Sequence, residues 1–185
     1  KHILSGLMNP DQKFYVSNGQ IYQNYQFIPG LDFSAFGIDV NDYLTIDWLL
    51  LIDQNNQNWT SLPQDTVEIP SINVPGVGDI SLTLVLELKG MSVGNGTFTI
   101  GNETVDTKDY ELDWKISGTV KIDVGGFPVP LPLPEFTLKT VYKLSNNIGI
   151  VSIKTNSQKV SVGTLPPMWF VGSEQNLIRY QVMVP

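Results

Sequence analysis

The stretch Asp79–Lys89, which reads DISLTLVLELK, determines the fold of this chain. Its aliphatic side chains recur at every second position, and mostly polar ones fall between them. Successive side chains of an extended chain point to opposite faces, so this alternation gathers the aliphatic residues on one face of a strand. A helix would scatter the same residues around its axis. The aliphatic positions are Ile80, Leu82, Leu84, Leu86 and Leu88.

A second and longer segment, Tyr110–Val124, alternates in the same way. Its apolar face includes Trp114 and Ile116 and is interrupted only at Gly118. A glycine within a strand marks a bulge, a bend or a close approach of another backbone. At about 3.3 Å per residue the segment would reach roughly 45–50 Å, well beyond a usual strand. We therefore expect the strand to curve, with its bend at Gly118.

Prolines at every second position from Pro128 to Pro134 follow this strand. Proline donates no backbone hydrogen bond and fixes φ near about −65°, so the segment is predicted to be an extended, polyproline-like edge or crossover. Segments of this kind also dock on SH3-type grooves. A stiff connector that covers the core is the simpler interpretation.

The other elements are predicted from turns and short apolar runs. Asn18-Gly19 is a strong hairpin signal between Lys13–Ser17 and Gln20–Phe27. The segment Asn41–Gln54 is ambiguous, because Asn41 favours a helix cap whereas its β-branched and aromatic residues favour a strand; we interpret it as a helix. Further strands are predicted over Glu135–Leu144, Ile148–Lys154, Lys159–Val162, Trp169–Val171 and Leu177–Val184.

These patterns predict a mainly β fold in one domain, residues 1–185, with an irregular N-terminal third (1–65) and strongly periodic strands over 66–185. The architecture is expected to be one large curved antiparallel sheet, a two-sheet sandwich or a partly open barrel, with at most one or two short helices near the N-terminus. Long one-sided apolar faces must be covered. A second sheet, the Asn41–Gln54 element or a rolled sheet around a cavity would cover them.

Composition argues against several classes of function. The net charge is −7 and only 11 residues are basic, whereas nucleic-acid surfaces need clustered Lys and Arg. The longest apolar run, Trp48–Ile52, is too short to cross a bilayer. We therefore expect no nucleic-acid partner and no transmembrane segment. The oligomeric state is left open.

The residues needed for catalysis are scarce. The chain has no Cys, and its single histidine, His2, lies next to the first residue, where no catalytic triad is readily assembled. Zinc requires three or four N, S or O ligands that this chain does not supply in a conventional pattern. The acidic residues between Asp39 and Asp53 match no calcium loop. We expect a protein that is not an enzyme, with no catalytic or metal-binding residues and no cofactor.

Three Asn-X-Thr sequons begin at Asn58, Asn95 and Asn102. Chance predicts a similar number for this composition, but all three fall in polar segments with a turn-like sequence, where a glycan would fit. The chain also begins at Lys1 rather than Met. Together these features predict a secreted or organellar protein from which a targeting segment has been removed, with glycans on these asparagines.

Two binding functions follow from the fold. A rolled sheet lined by Leu82, Leu84, Leu86, Trp114 and Ile116 would form an apolar pocket for a lipid, a pigment or a similar small molecule. The alternative is a structural or interaction subunit of a larger assembly. In that case Trp169 and Phe170, with the prolines of Phe127–Pro134, would form an exposed apolar docking edge.

Two segments resemble known families. The strand and proline-rich segment of Glu111–Phe136 resemble part of the late-embryogenesis-abundant type 2 module. The strands from Trp114 to Val160 are similar to the curved sheet of lipid-binding or NTF2-like α+β domains. Neither resemblance includes a diagnostic motif, and neither implies a function.

Overall fold

The computed structural model describes residues 3–5, 13–24, 43, 48–74, 78–124, 126–146, 148–161 and 168–177. Nearly all of these residues lie in antiparallel strands, and no α-helix occurs among them, which confirms the mainly β fold. In chain order the strands are β1 (Ile3–Ser5), β2 (Lys13–Ser17), β3 (Gln20–Asn24), β4 (Trp48–Asp53), β5 (Asn58–Val74), β6 (Gly78–Ile100), β7 (Glu103–Val124), β8 (Phe127–Ser145), β9 (Gly149–Thr155), β10 (Gln158–Val160), β11 (Met168–Phe170) and β12 (Ser173–Asn176).

The described strands form one large sheet and two smaller ones. The large sheet has six strands in the order β12-β9-β8-β7-β6-β5 and remains open. A small sheet has the order β1-β2-β3-β4, and β10 pairs with β11. The hairpin predicted at Asn18-Gly19 joins β2 to β3, and both turn residues have the positive φ that a type I′ turn requires, +50° and +75°.

The two alternating segments pair along the centre of the large sheet. Leu86 of β6 lies opposite Ile116 of β7, and Leu88 lies opposite Trp114. Because both strands alternate with the same period, each such pair adds apolar area to the same face of the sheet. The alternation therefore determines both the strands and the side of the sheet that is buried.

Gly118 has the role expected from its interruption of the apolar face. It lies opposite Leu84, its φ is +155°, and a Cβ at this position would overlap the carbonyl oxygen of Thr83. The pairing of β7 with β8 also shifts register between Ile116 and Gly118. Of the alternatives for a glycine in a strand, the bulge and the close backbone approach are confirmed, and the bend expected at Gly118 stays a prediction.

The proline-rich segment Phe127–Pro134 is the first half of β8, not a connector between elements. It pairs with β7, with Val129 opposite Ile122 and Leu133 opposite Gly118. Alternate prolines are compatible with this ladder because the residues between them supply the N–H groups that face β7. The missing donors then face the outer side of this half of β8, where no partner strand lies among the described residues. The predicted edge position is confirmed, whereas the polyproline-like connector is wrong.

The helix assigned to Asn41–Gln54 is also wrong where the structure describes it, because Trp48–Asp53 forms β4. Leu49 and Leu51 point into the core and β4 pairs with β3. Burial on a sheet has outweighed the local cap signal at Asn41. Apart from Tyr43, residues 41–47 lie outside the described residues, as does most of the strand predicted over Leu177–Val184.

The large and small sheets share one hydrophobic core. Leu84, Leu86, Leu88 and Ile116 from the centre of the large sheet are completely buried. The buried residues that join them from the small sheet are Phe14, Ile21, Leu49, Leu51 and Ile52. The small sheet thus provides one of the covers that the long apolar face requires.

Candidate functional site

The residues predicted to line an apolar pocket lie together on the buried face of β6 and β7. Leu82, Leu84, Leu86, Trp114 and Ile116 are all 5% exposed or less and belong to the common core. In this structure protein side chains occupy the space in front of them. Binding of a ligand to these residues stays a prediction.

An apolar cleft is present instead where the small sheet meets the end of β8 and the start of β9. Val16 and Ile21 line it from one side, and Leu144 and Ile150 line it from the other. The remaining residues of its wall are Gln54, Ser145, Asn146 and Gly149. Its volume of about 140 Å³ is similar to that of an apolar cavity that accepts benzene, roughly 150 Å³. Pockets for drug-sized ligands are larger, about 300–1,000 Å³. The cleft therefore suits a small apolar group.

The start of β8 presents the largest apolar exposure of the large sheet. Phe127 is 77% exposed and Val129 is 43% exposed. The turn before them is closed by the backbone N–H of Gly126, which donates to Asp123 Oδ1 at 2.6 Å. We call Phe127–Pro134 the apolar edge. Its prolines, its exposed aromatic ring and its fixed turn together give a rigid, apolar surface.

Phe170 belongs to the core rather than to an exposed docking edge. It is 1% exposed, and its ring stacks on that of Phe136 with centroids 4.9 Å apart. The short β10–β11 hairpin is held against β8 in this way. The side chain of Trp169 lies outside the described residues. Of the two segments predicted to form a docking edge, the apolar edge is the one with exposed apolar area in the described part of the chain.

An aromatic cluster lies on the outer face of the small sheet. Tyr15 and Tyr22 face each other across β2 and β3 with stacked rings, 4.7 Å between centroids, and Trp48 meets Tyr15 edge-on at 5.1 Å. Trp48 is 42% exposed. The Asn18-Gly19 turn was the one sequence signal that could have found the tyrosine pair, because a two-residue turn fixes the register that places Tyr15 opposite Tyr22.

Asp53 is the member of the predicted acidic cluster that the structure describes. Its carboxylate accepts hydrogen bonds from Gln20 Nε2 (3.0 Å), Asn56 Nδ2 (2.8 Å) and the backbone N–H of Asn55 (2.9 Å). Burial alone would raise the pKa of Asp53, but the hydrogen bonds from these donors outweigh it and lower the pKa. A carboxylate held ionised in this way stabilises the turn between β4 and β5, which accounts for its presence without catalysis.

The outer face of the large sheet carries a network of ion pairs. Lys139 bridges Glu111 and Asp113 across β7 and β8, and Lys143 pairs with Asp109. Burial raises the pKa of Asp113, and the nearby Lys139 ammonium opposes that shift. Acidic and basic side chains therefore lie side by side on this face. Among the residues of known placement, no group of three or more His, Asp and Glu side chains could hold a metal ion.

A two-stranded ribbon extends from one end of the large sheet. We define it as residues 92–107, the end of β6 and the start of β7. Residues 96–100 pair with residues 103–107 beyond the last partners of β5 and β8, and residues 92–95 form its base by pairing with residues 108–110. The turn-like interpretation of Gly94-Asn95-Gly96 is wrong, because these residues lie within β6, next to a bulge between Ser92 and Gly94. The glycines allow the bulge and the close approach of the Asp109 side chain to Gly96.

All three sequons lie in or beside this ribbon. Asn95 is in its β6 strand, Asn102 is in the turn at its tip, and Asn58 lies opposite Met91 at its base. These asparagines are exposed, and so are the threonines that complete their sequons, Thr60, Thr97 and Thr104. Positions that are far apart in the chain are thus brought to the same end of the sheet.

No protein-family model matches the chain, and no curated protein or solved structure matches it. Within the described residues, no helix has the length and apolar character needed to span a membrane.

Proposed function

We propose that this chain is a non-enzymatic interaction subunit that contacts a protein partner through its apolar edge. The observation that carries the proposal is the exposure of Phe127, at 77%, beside the exposed Val129. Burial of one such aromatic side chain contributes about 1.5–3 kcal/mol. Aromatic residues, Phe among them, are also enriched at the buried cores of protein interfaces.

The prolines of the apolar edge indicate how a partner docks. A free sheet edge ordinarily binds another strand through its unpaired N–H groups. Here Pro128, Pro130 and Pro132 leave the free edge without those donors. The partner is therefore expected to present an apolar pocket for the Phe127 ring rather than an added strand. Because proline restricts the backbone, little conformational entropy is lost on binding.

Site-specific photocrosslinking tests this proposal. A photoreactive phenylalanine analogue is placed at position 127 in the full chain, expressed in its natural host, and at Gln64 as a control that is exposed but polar. The proposal predicts a discrete crosslinked protein from position 127 and not from position 64. Equal crosslinking from both positions, or none from position 127, would contradict it.

A second binding function is favoured by the apolar cleft between the sheets. We propose that the cleft lined by Val16, Ile21, Leu144 and Ile150 accepts a small apolar molecule or one apolar group of a lipid or pigment. Native mass spectrometry of the protein from its natural source should then show a retained ligand. Replacement of Ile150 by Trp fills the cleft and should remove that mass, whereas Val171→Trp, at a residue 75% exposed, should not. A ligand retained by both variants would place binding elsewhere.

The proposed location is a secreted or organellar compartment. Low charge content, 16%, and abundant neutral polar residues support it, as do the exposed sequons. Cell fractionation with an antibody against the chain tests the location. Recovery in the cytosolic fraction alone would contradict it.

A further inference from the structure

The ribbon has the features of a strand pair that needs protection from other chains. Within the residues of known placement, residues 96–100 and 103–107 pair with each other and with no third strand. At the base of the ribbon, residues 92–95 pair with residues 108–110 of β7, and the Ser92 N–H donates to the Gln57 carbonyl. In the described part of the chain, the backbone donors and acceptors on the outer sides of residues 96–107 thus have no partner strand. Such edges are templates for pairing with another molecule.

The amino-acid content of the ribbon increases that tendency. It is rich in Thr and includes Val93, Phe98, Ile100 and Val105, all of which favour strands, and its few charges lie mainly on Glu103 and Asp106. It contains no proline. Short segments with high β-propensity, low charge, no proline and few glycines are those that assemble edge to edge, and the longest glycine-free stretches of the ribbon are 97–100 and 102–107.

The other long free edges of the large sheet are protected by the chain itself. On β8 the prolines of the apolar edge remove the outward donors. The opposite edge strand, β5, contains Pro63 and Pro70, and its pairing with β6 shifts register at three places. Prolines and bulges are standard ways of blocking an edge. The ribbon lacks such prolines, but it contains two of the sequons, and the third lies beside its base.

We infer that Asn58, Asn95 and Asn102 carry N-linked glycans, and that these glycans shield the free edges of the ribbon. Asn95 lies on the outer β6 edge and Asn102 lies at the tip. Asn58 is the first residue of β5 and lies beside the point where that β6 edge begins. A bulky hydrated glycan at each position would exclude an incoming strand by its volume. This inference rests on the secretory location proposed above, and the Phe127 contact has no part in it.

The chemistry is a transfer to the asparagine side chain. The amide nitrogen forms a bond to the anomeric carbon of an oligosaccharide carried on a lipid diphosphate, and the bond from that carbon to the diphosphate oxygen breaks. The lipid diphosphate leaves, and the proton displaced from the amide is taken up by it or by solvent. The threonine two residues later completes the acceptor motif that the transferring enzyme recognises.

Site occupancy is tested on the full chain, directed through the secretory pathway of a eukaryotic cell. Peptide N-glycosidase converts each glycosylated Asn to Asp, so mass spectrometry identifies the occupied positions. Thr60→Ala, Thr97→Ala and Thr104→Ala should each remove one glycan without altering the acceptor. The matched Thr→Ser variants should retain all three. Unmodified Asn95 or Asn102 in the secreted, folded protein would overturn the inference.

The shielding role is tested by removing the glycans from the folded protein. Light scattering should then rise with time, and a charged residue on the ribbon edge, Thr99→Lys, should suppress the rise. The same measurement on Phe127→Ser separates the two ends, because association through the apolar edge would disappear in this variant whereas association through the ribbon would persist. Unchanged scattering after complete glycan removal would overturn the shielding role and leave the Phe127 proposal untouched.

Discussion

The two ends of the large sheet expose strand edges of opposite character. At one end the apolar edge belongs to a region four strands wide, and its prolines remove backbone donors while Phe127 and Val129 remain exposed. At the other end the ribbon is two strands wide over residues 96–107, is rich in Thr, and has no third strand on either side among the described residues. The comparison shows that protection of an edge and availability for binding are separate properties. Prolines block strand pairing yet leave apolar side chains accessible.

The largest expected effect concerns two glycines, one near the centre of the large sheet and one at the ribbon tip. Gly118→Ala should destabilise the protein by about 3–5 kcal/mol, because its Cβ would overlap the Thr83 carbonyl oxygen within the sheet. Gly101→Ala, at the ribbon tip, should cost about 1 kcal/mol, since φ is +61° there but no atom lies near the added Cβ. Denaturant unfolding measures both. Equal losses would mean that backbone strain alone, and not the close approach, matters at Gly118.

The second largest difference between the two ends is expected in the rates of amide hydrogen exchange. The opening free energy that governs amide exchange should be lower for residues 93–100 than for residues 80–88 of the same strand. We expect a difference of at least about 3 kcal/mol. The reason is that β6 has two partners over residues 80–88 and one along the ribbon. Amides facing β7 in the apolar edge should be protected like the centre. Uniform protection along β6 would contradict a ribbon that opens on its own.

Asp53 supports the turn next to the ribbon end, and its removal should have a smaller and pH-dependent effect. Asp53→Ala should cost about 1–3 kcal/mol at neutral pH, because the donors on Gln20, Asn55 and Asn56 lose their acceptor. The pKa of Asp53 is lower in the folded protein than the unfolded value of about 3.9. Its stabilisation is therefore complete above that value and lost as pH falls through the folded pKa. Unfolding titrations of both proteins from pH 7 to pH 2 should show the difference shrinking below about pH 4; a constant difference would contradict the ionised role.

The smallest effect on stability is expected at the apolar edge itself. Phe127→Ser should change the free energy of unfolding by less than about 0.5 kcal/mol, because the ring contacts mostly solvent. Phe136→Ala, nine residues along the same strand, should cost about 3–5 kcal/mol, since that ring is buried against Phe170. Thermal and denaturant unfolding measure both. A large loss from Phe127→Ser would mean that this residue serves the fold rather than a partner.

Local alternation was enough to predict the centre of the molecule. Asp79–Lys89 and Tyr110–Val124 each bury one face, so their period of two reports the strand and its orientation together. Gly118 was recognisable for the same reason, because a missing side chain in a regular apolar row has few structural explanations. In this region the local pattern and the tertiary structure agree.

The regions that were misassigned depend on pairing between distant strands. Trp48–Asp53 has a short apolar run that fits a helix or a strand equally well, and only its pairing with β3 decides between them. Gly94-Asn95-Gly96 has the composition of a turn, yet its pairing with residues 107–109 extends it into a strand. The apolar cleft and the tyrosine pair are likewise products of strand register. Composition contains little information about register, so the cleft could not be found from the chain alone, whereas the tyrosine pair could have been found from the Asn18-Gly19 turn that sets its register.

The strand order of the large sheet has a consequence for how the protein folds. From β5 to β9 each strand lies beside its predecessor in the chain. Such a meander needs no pairing between strands far apart in sequence, so its relative contact order is modest for an all-β protein, and folding is correspondingly faster. In each hairpin, strand pairing can begin at the turn and proceed away from it. In the longest hairpin, β6–β7, pairing would begin at Ile100 and Glu103 and proceed to Ile80 and Ile122. During synthesis the N-terminal strands emerge from the ribosome first. Each strand from β6 to β9 can therefore pair with the preceding strand, which has already emerged.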